Sequence, residues 1–178
     1  MQPLLDWGIE LILWLQQFRP ALDLPFRALT FISDELFFLL FLPLVYWCLD
    51  RRTGARVTLL FLVSAYVNAV VKVFAAQPRP ALYDPRVWAY SDVGGSGGFP
   101  SGHTQNTLAV WGYLAAKVRR TWMWIVTGVL VVCVPLSRLY LGVHFPHDLF
   151  GGYVIGALLL FVYLRWGERG ERWLAGMG

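Results

Sequence analysis

The chain has 178 residues, 57% of them hydrophobic and 15% charged, with a mean hydropathy of +0.54. A soluble domain carries about 25% charged residues, so this composition describes one domain over 1–178 whose main solvent is lipid. The net charge of +4 does not mark a nucleic-acid partner, because the basic residues are dispersed beside apolar runs rather than gathered on one solvated face.

Residues 4–18 are apolar but contain Asp6, Glu10, Gln16 and Gln17, so this segment either spans the membrane or lies in its interface. No basic run precedes it, and it does not read as a cleavable signal peptide. Pro20 and Pro25 are expected to break the chain after it. Five apolar stretches follow, at 36–49, 57–76, 104–118, 122–136 and 149–166, against the roughly 20 residues that a spanning helix needs. The first is short, but Ser33, Asp34 and Glu35 supply a cap and first-turn acids. The expectation is an all-α integral membrane bundle of six helices, or of five plus an interfacial one. Cys48 and Cys133 lie within apolar runs without a CxxC and are expected to be buried and inert. Asn68 is expected to bond between helices, and Tyr83, Trp88 and Tyr90 to form an interfacial belt.

The loops orient the bundle. Arg51, Arg52, Arg56, Lys117, Arg119, Arg120, Arg165, Arg169 and Arg172 are nine of the fifteen basic residues, and all fall on one side of the helix alternation. Cytoplasmic loops carry the excess of Lys and Arg, so that side is expected to be cytoplasmic.

Three polar blocks fall on the opposite side. The stretch ending the 57–76 segment holds Lys72, Arg79 and Pro80; Pro100-Ser101-Gly102-His103 opens the next segment; and Ser137-Arg138 is followed by His144 and Asp148. A phosphate monoester carries close to two negative charges, and its transfer depends on positioning and on stabilising that charge. Lys72, Arg79 and Arg138 supply cations, two of them with guanidinium forks. The Pro100–Gly102 turn opens a helix whose free N–H groups suit an anion. The spacing of His144 and Asp148 lets the carboxylate accept from one ring nitrogen and leave the other free to attack phosphorus. His103 can protonate the leaving oxygen and then activate water. Asp84, Asp92 and Asp148 have no metal-ligand spacing, so neither a metal nor another cofactor is expected. The glycine-rich segment 92–99 lacks the GK[ST] ending of a P-loop and is expected to let the following turn move. His147 lies outside the blocks, as an interfacial side chain or a substrate contact.

The blocks KxxxxxxRP, PSGH and SRxxxxxHxxxD resemble the type 2 phosphatidic acid phosphatase family, which shares its pattern with vanadium haloperoxidases and glucose-6-phosphatase. The resemblance implies that His144 is phosphorylated, Asp148 orients it and His103 is the general acid. Lys72, Arg79, Ser101, Gly102 and Arg138 would hold phosphate. It further implies a lipid phosphate or diphosphate substrate drawn from the bilayer, in a bacterial inner membrane, with the site facing the periplasm or exterior. Candidate substrates are undecaprenyl diphosphate, phosphatidylglycerol phosphate, phosphatidate and a sphingosine-phosphate-like lipid. A phosphotransferase and a phosphatase of a soluble sugar phosphate remain alternatives.

Overall fold

The computed structural model describes residues 2–90 and 97–175, with backbone alone at Leu49 and from 168 onward. The segment 92–99 therefore lies largely outside the described residues. Among them the ordered elements are all helical.

Helix α1 (Gln2–Gln16) buries Gly8, Ile9 and Ile12. Ile9 and Ile12 pack against Val87, Leu139, Phe145 and Leu149. Along its length Tyr83 Oη donates to Asp6 at 2.8 Å, Arg86 reaches Glu10 at 3.0 Å, and Gln16 Nε2 donates to the carbonyls of Trp88 and Tyr140 at 2.7 and 3.0 Å. These partners all lie at one end of the bundle, so α1 lies across that end.

The sequence reading missed α2 (Asp23–Phe31). Pro25 sits in its first turn, where a missing N–H forfeits no intrahelical bond, so it belongs to the helix instead of breaking the chain. A 49° bend separates α2 from the next apolar run. Helix α3 (Glu35–Leu44) starts at Asp34, whose Oδ1 accepts from Leu36 N at 3.0 Å. It contains Pro43 and continues into a π turn, Val45–Leu49, consistent with the donor that proline removes.

Helix α4 (Arg51–Ala75) is capped by Asp50, which accepts from Thr53 N at 2.8 Å, and ends where Ala76 turns left-handed at φ 45°. The short α5 (Pro80–Tyr83) follows. A single run then comprises α6 (Gly102–Asn106), a π turn (Thr107–Trp111) and α7 (Gly112–Val118). It is followed by α8 (Thr121–Tyr140) and α9 (Pro146–Ala175).

Among the described residues three helical runs are long and apolar enough to cross a membrane, and a fourth if α2 and α3 count as one bent span. Only 17% of the α4 window and 22% of the α9 window is buried within the protein. Leu59, Leu62, Tyr66, Leu158 and Phe161 are exposed. Helices that are apolar all round with uncovered outer faces belong in lipid, and the chain is an integral membrane protein. The same solvent explains Cys48, which is exposed rather than buried, and Cys133, which is half-buried: an apolar run in a bilayer need not face the protein core. The Arg19 guanidinium lies 3.3 Å from the Trp88 ring centroid and that of Arg27 lies 4.5 Å from the Tyr90 centroid, which ties the loop after α5 to α2.

Helix α9 packs directly on the α6 backbone. A Cβ on Gly152 would meet the Ser101 carbonyl at 2.7 Å, and one on Gly156 the Gln105 carbonyl at 2.8 Å. This small-xxx-small pair lets two backbones approach within the membrane. Gly128, on α8, has nothing within 4 Å of such a Cβ. Substituting Leu at Gly156 is expected to cost about 1–3 kcal/mol through overpacking, lowering Tm in detergent by about 2–10 °C. Gly128→Ala should leave Tm unchanged or raise it; thermal unfolding of both variants checks the contrast.

Candidate active site

The site is assembled at the bundle end that α1 crosses. Lys72 occupies the last turn of α4, and its Nζ donates to the Gly97 carbonyl at 2.8 Å. After the Ala76 turn the chain passes through Gln77 and Pro78 to Arg79, the extended N-cap of α5. Arg79 Nη1 donates to the Val143 carbonyl at 3.2 Å. Arg138, in the last turn of α8, is 8% exposed, and its Nη1 donates to Thr30 Oγ1 at 2.6 Å.

Ser101 is the N-cap of α6. Its Oγ accepts from Thr104 N at 3.4 Å and from Thr104 Oγ1 at 3.0 Å, while its N–H donates to the Asp148 carbonyl at 2.9 Å. Capping therefore occupies the acceptor capacity of this hydroxyl, and its own proton remains as a donor. Gly102 serves close packing: an added Cβ would meet Asn68 Oδ1 at 3.1 Å. Asn68 Nδ2 donates to the Pro100 carbonyl at 3.3 Å and to Gln105 Oε1 at 2.9 Å, which is the expected interhelical bonding and holds the turn that presents His103. The N–H groups of Gly102 and His103 lie in the first turn, where a helix offers them no acceptor of its own.

His144, in the turn between α8 and α9, is 2% exposed. Its Nδ1 lies 3.3 Å from Asp148 Oδ2, an oxygen that also accepts from Phe145 N at 2.8 Å. Asp148 is thereby fixed against the ring, and Nε2 of His144 is the nitrogen turned away from it. His147 lies beside the same carboxylate. It is stacked between Phe99 and Phe145, with its Nε2 2.8 Å from Gln77 Oε1 and 3.2 Å from Asp148 Oδ1. Its hydrogen bond is to Gln77, and Asp148 Oδ1 beside it has no hydrogen-bond partner.

Electrostatically the groups form one cluster. Lys72 is within charge range of Arg79, Arg138 and Asp148. His103 faces Arg138, Lys72 and Arg79, and His144 faces the same three cations and His103. The structure thus brings together Lys72, Arg79, His103, Arg138, His144 and Asp148, with Ser101 and Gly102 forming the turn beneath. Burial above all, and then Arg138, Arg79, Lys72 and His103, hold the His144 imidazole well below the usual histidine range. Among the described residues no three His, Cys, Asp or Glu side chains are grouped to hold a metal ion.

Comparison with known proteins places this geometry. The sequence profile of the PAP2 superfamily matches residues 53–172. The chain belongs to the PAP2 superfamily. That match encloses every block from Lys72 to Asp148 and leaves out α1, α2 and α3. Among curated relatives, lipid phosphate phosphatase delta of Arabidopsis thaliana is 30% identical over 177 residues, covering 91% of this chain and 42% of that protein. Phosphatidylglycerophosphatase B of Bacillus subtilis (strain 168) is 32% identical over 133 residues, covering 68% and 63%. The chain thus spans about two fifths to three fifths of the length of these relatives. A crystal structure of a transmembrane PAP2 type phosphatidylglycerolphosphate phosphatase from Bacillus subtilis superposes with a TM-score of 0.82 at 24% identity, covering 95% of this chain and 88% of that one. The PAP2 fold therefore extends to the α1–α3 region that the profile omits.

Residues outside the three blocks support the cluster: Thr30 holds Arg138, Asn68 holds the Pro100 turn, and Gln77 holds His147. One signal was available for Asn68. Ser64, Asn68 and Lys72 recur every fourth residue in an otherwise apolar run, which marks one helix face. The chain contains three histidines, so imidazole ¹⁵N spectra in detergent are tractable. The His144 resonance, assigned by its loss in His144→Ala, should stay neutral down through pH 6.5 and change only below it. A change centred at or above 6.5 would contradict the buried, cation-flanked setting.

Proposed function

We propose that the protein is a phosphatase of membrane lipid phosphates that works through a phosphohistidine on His144. The convergence of Lys72, Arg79 and Arg138 on two imidazoles, one backed by Asp148, supports this reading most directly. Three cations at one end of an apolar bundle suit a phosphoryl group carrying close to two negative charges. In the first step Nε2 of His144 attacks phosphorus as the bond to the leaving oxygen breaks, and His103 protonates that oxygen. In the second, water attacks the phosphohistidine, His103 takes its proton, the N–P bond breaks and phosphate departs. Asp148 keeps the attacking nitrogen unprotonated by engaging the other one. Neither step calls for a metal ion.

In the bilayer, α4, α8, α9, the 102–118 run and the bent α2–α3 pair would cross, giving five membrane segments. Helix α1 would lie in the interface, as its contacts across one end of the bundle favour. Arg51, Arg52, Lys117, Arg119, Arg120 and Arg165 mark the opposite ends of these segments, so the positive-inside bias puts the site on the non-cytoplasmic face. The membrane setting and the relatives named for lipid phosphates favour a lipid substrate, whose head group reaches the site from the side.

The test is an assay of purified protein in detergent against phosphatidate, phosphatidylglycerol phosphate, a prenyl diphosphate and glucose 6-phosphate. Hydrolysis of at least one lipid phosphate is expected, insensitive to EDTA and blocked by vanadate, which mimics five-coordinate phosphorus. His144→Ala should lower turnover by at least about 1,000-fold, while Arg86→Ala, on the exposed Asp84–Glu10 ion pairs, should change it by less than about twofold. Because His144 is held neutral below the usual histidine range, kcat/KM should keep its plateau from pH 7 down through about 6.5 and fall at lower pH. A His144 variant retaining most activity would overturn the mechanism.

A further inference from the structure

The corner between α2 and α3 lies outside the three blocks, yet it touches both the proposed general acid and one of the phosphate-binding cations. Asp34 Oδ2 lies 3.9 Å from His103 Nε2, a buried atom with no hydrogen-bond partner of its own. The other carboxylate oxygen is fixed by Leu36 N at 3.0 Å. The hydroxyls of Ser33 and Thr107 are hydrogen bonded, and Thr107 Oγ1 donates to the His103 carbonyl at 2.6 Å, clamping the corner to the turn that carries His103. Thr30, at the end of α2, accepts from Arg138, and Asp34 is itself within charge range of Arg138.

A general acid must hold a proton until the leaving oxygen takes it. The other titratable groups facing His103 are Arg138, Lys72 and Arg79, all cations that oppose such a proton, together with the His144 imidazole. A carboxylate fixed beside Nε2 has the opposite effect. At 3.9 Å the two groups are too far apart for a direct hydrogen bond and act as a charge pair.

We propose that Asp34 is a positioning residue for His103, holding on its Nε2 the proton that the leaving group of the phosphate ester receives. This rests on the phosphatase reading above. In the first step the Nε2 proton passes to the leaving oxygen as its bond to phosphorus breaks and the bond to His144 forms. In the second a proton from the attacking water returns to Nε2. Asp34 exchanges no proton.

Asp34→Asn removes the charge and keeps the helix cap, since Asn caps as well as Asp. Two probes separate a proton-delivery role from a structural one: phosphatidate in detergent micelles, whose alkoxide must be protonated to leave, and p-nitrophenyl phosphate, whose phenolate leaves without a proton. D34N is expected to lower kcat/KM for phosphatidate by about 10- to 100-fold and for p-nitrophenyl phosphate by less than about 3-fold. With a negative charge gone from His103, the alkaline limb for phosphatidate should move to lower pH by about one unit. Equal losses on both esters, or an unmoved alkaline limb, overturn the assignment. If D34N does not fold, as judged by thermal unfolding, Asp34→Ser, which also caps without charge, is measured against the same expectations. A wild-type protein that cleaves neither ester overturns the phosphatase reading itself; one that cleaves both while D34N treats them alike overturns only the role of Asp34.

Discussion

Holding Lys72, Arg79 and Arg138 within range of one another at the end of an apolar bundle is electrostatically unfavourable, and much of the local structure serves to tolerate it. Cations placed away from bulk water need fixed acceptors. Each has one here, from a different part of the chain: the Gly97 carbonyl for Lys72, the Val143 carbonyl for Arg79 and the Thr30 hydroxyl for Arg138. These neutral acceptors orient the cations without cancelling their charge. The cluster is left with an excess positive potential, a setting that suits an anionic group.

The acidic residues are few and individually placed. Asp148 is held on one oxygen by Phe145 N and His144, while its other oxygen lies 3.2 Å from His147 Nε2 without a hydrogen-bond partner. Asp34 stands at the opposite imidazole on a corner pinned by Ser33 and Thr30. The two imidazoles thus have different surroundings, the condition under which one cluster can assign different proton states to two like groups. The backbone contact of α9 with α6 at Gly152 and Gly156 holds the two halves in register, because Asp148 starts one helix and His103 the other.

Comparing sequence with structure, the segments around α4, α8, α9 and the 102–118 run were legible as apolar runs of membrane length, and the three polar blocks as groups that gather at one end of the bundle. Helix α2 was not legible, because nine residues with an early proline resemble a broken loop unless the first-turn position of Pro25 is known. Asp34 read only as a cap, since capping is a local property and its second oxygen faces a residue nearly seventy positions away. His147 read as peripheral because nothing in its neighbourhood along the chain foretells the Phe99 ring or Gln77. The orientation of α1 was open for the same reason: its apolar stretch suits either a span or an interface, and only the partners of Asp6, Glu10 and Gln16 show that it lies across the bundle end.

By itself the amino-acid sequence determined the solvent, the helical class and which charged and titratable groups the three polar blocks carry, because hydropathy, periodicity and residue type act through neighbours a few positions apart. Tertiary structure decided which groups steady them. Whether Thr30 meets Arg138, whether Asp34 meets His103 and how closely α9 approaches α6 depend on packing between helices distant in the chain. Such contacts are set by the fit of whole surfaces, for which no short stretch of sequence carries the specification.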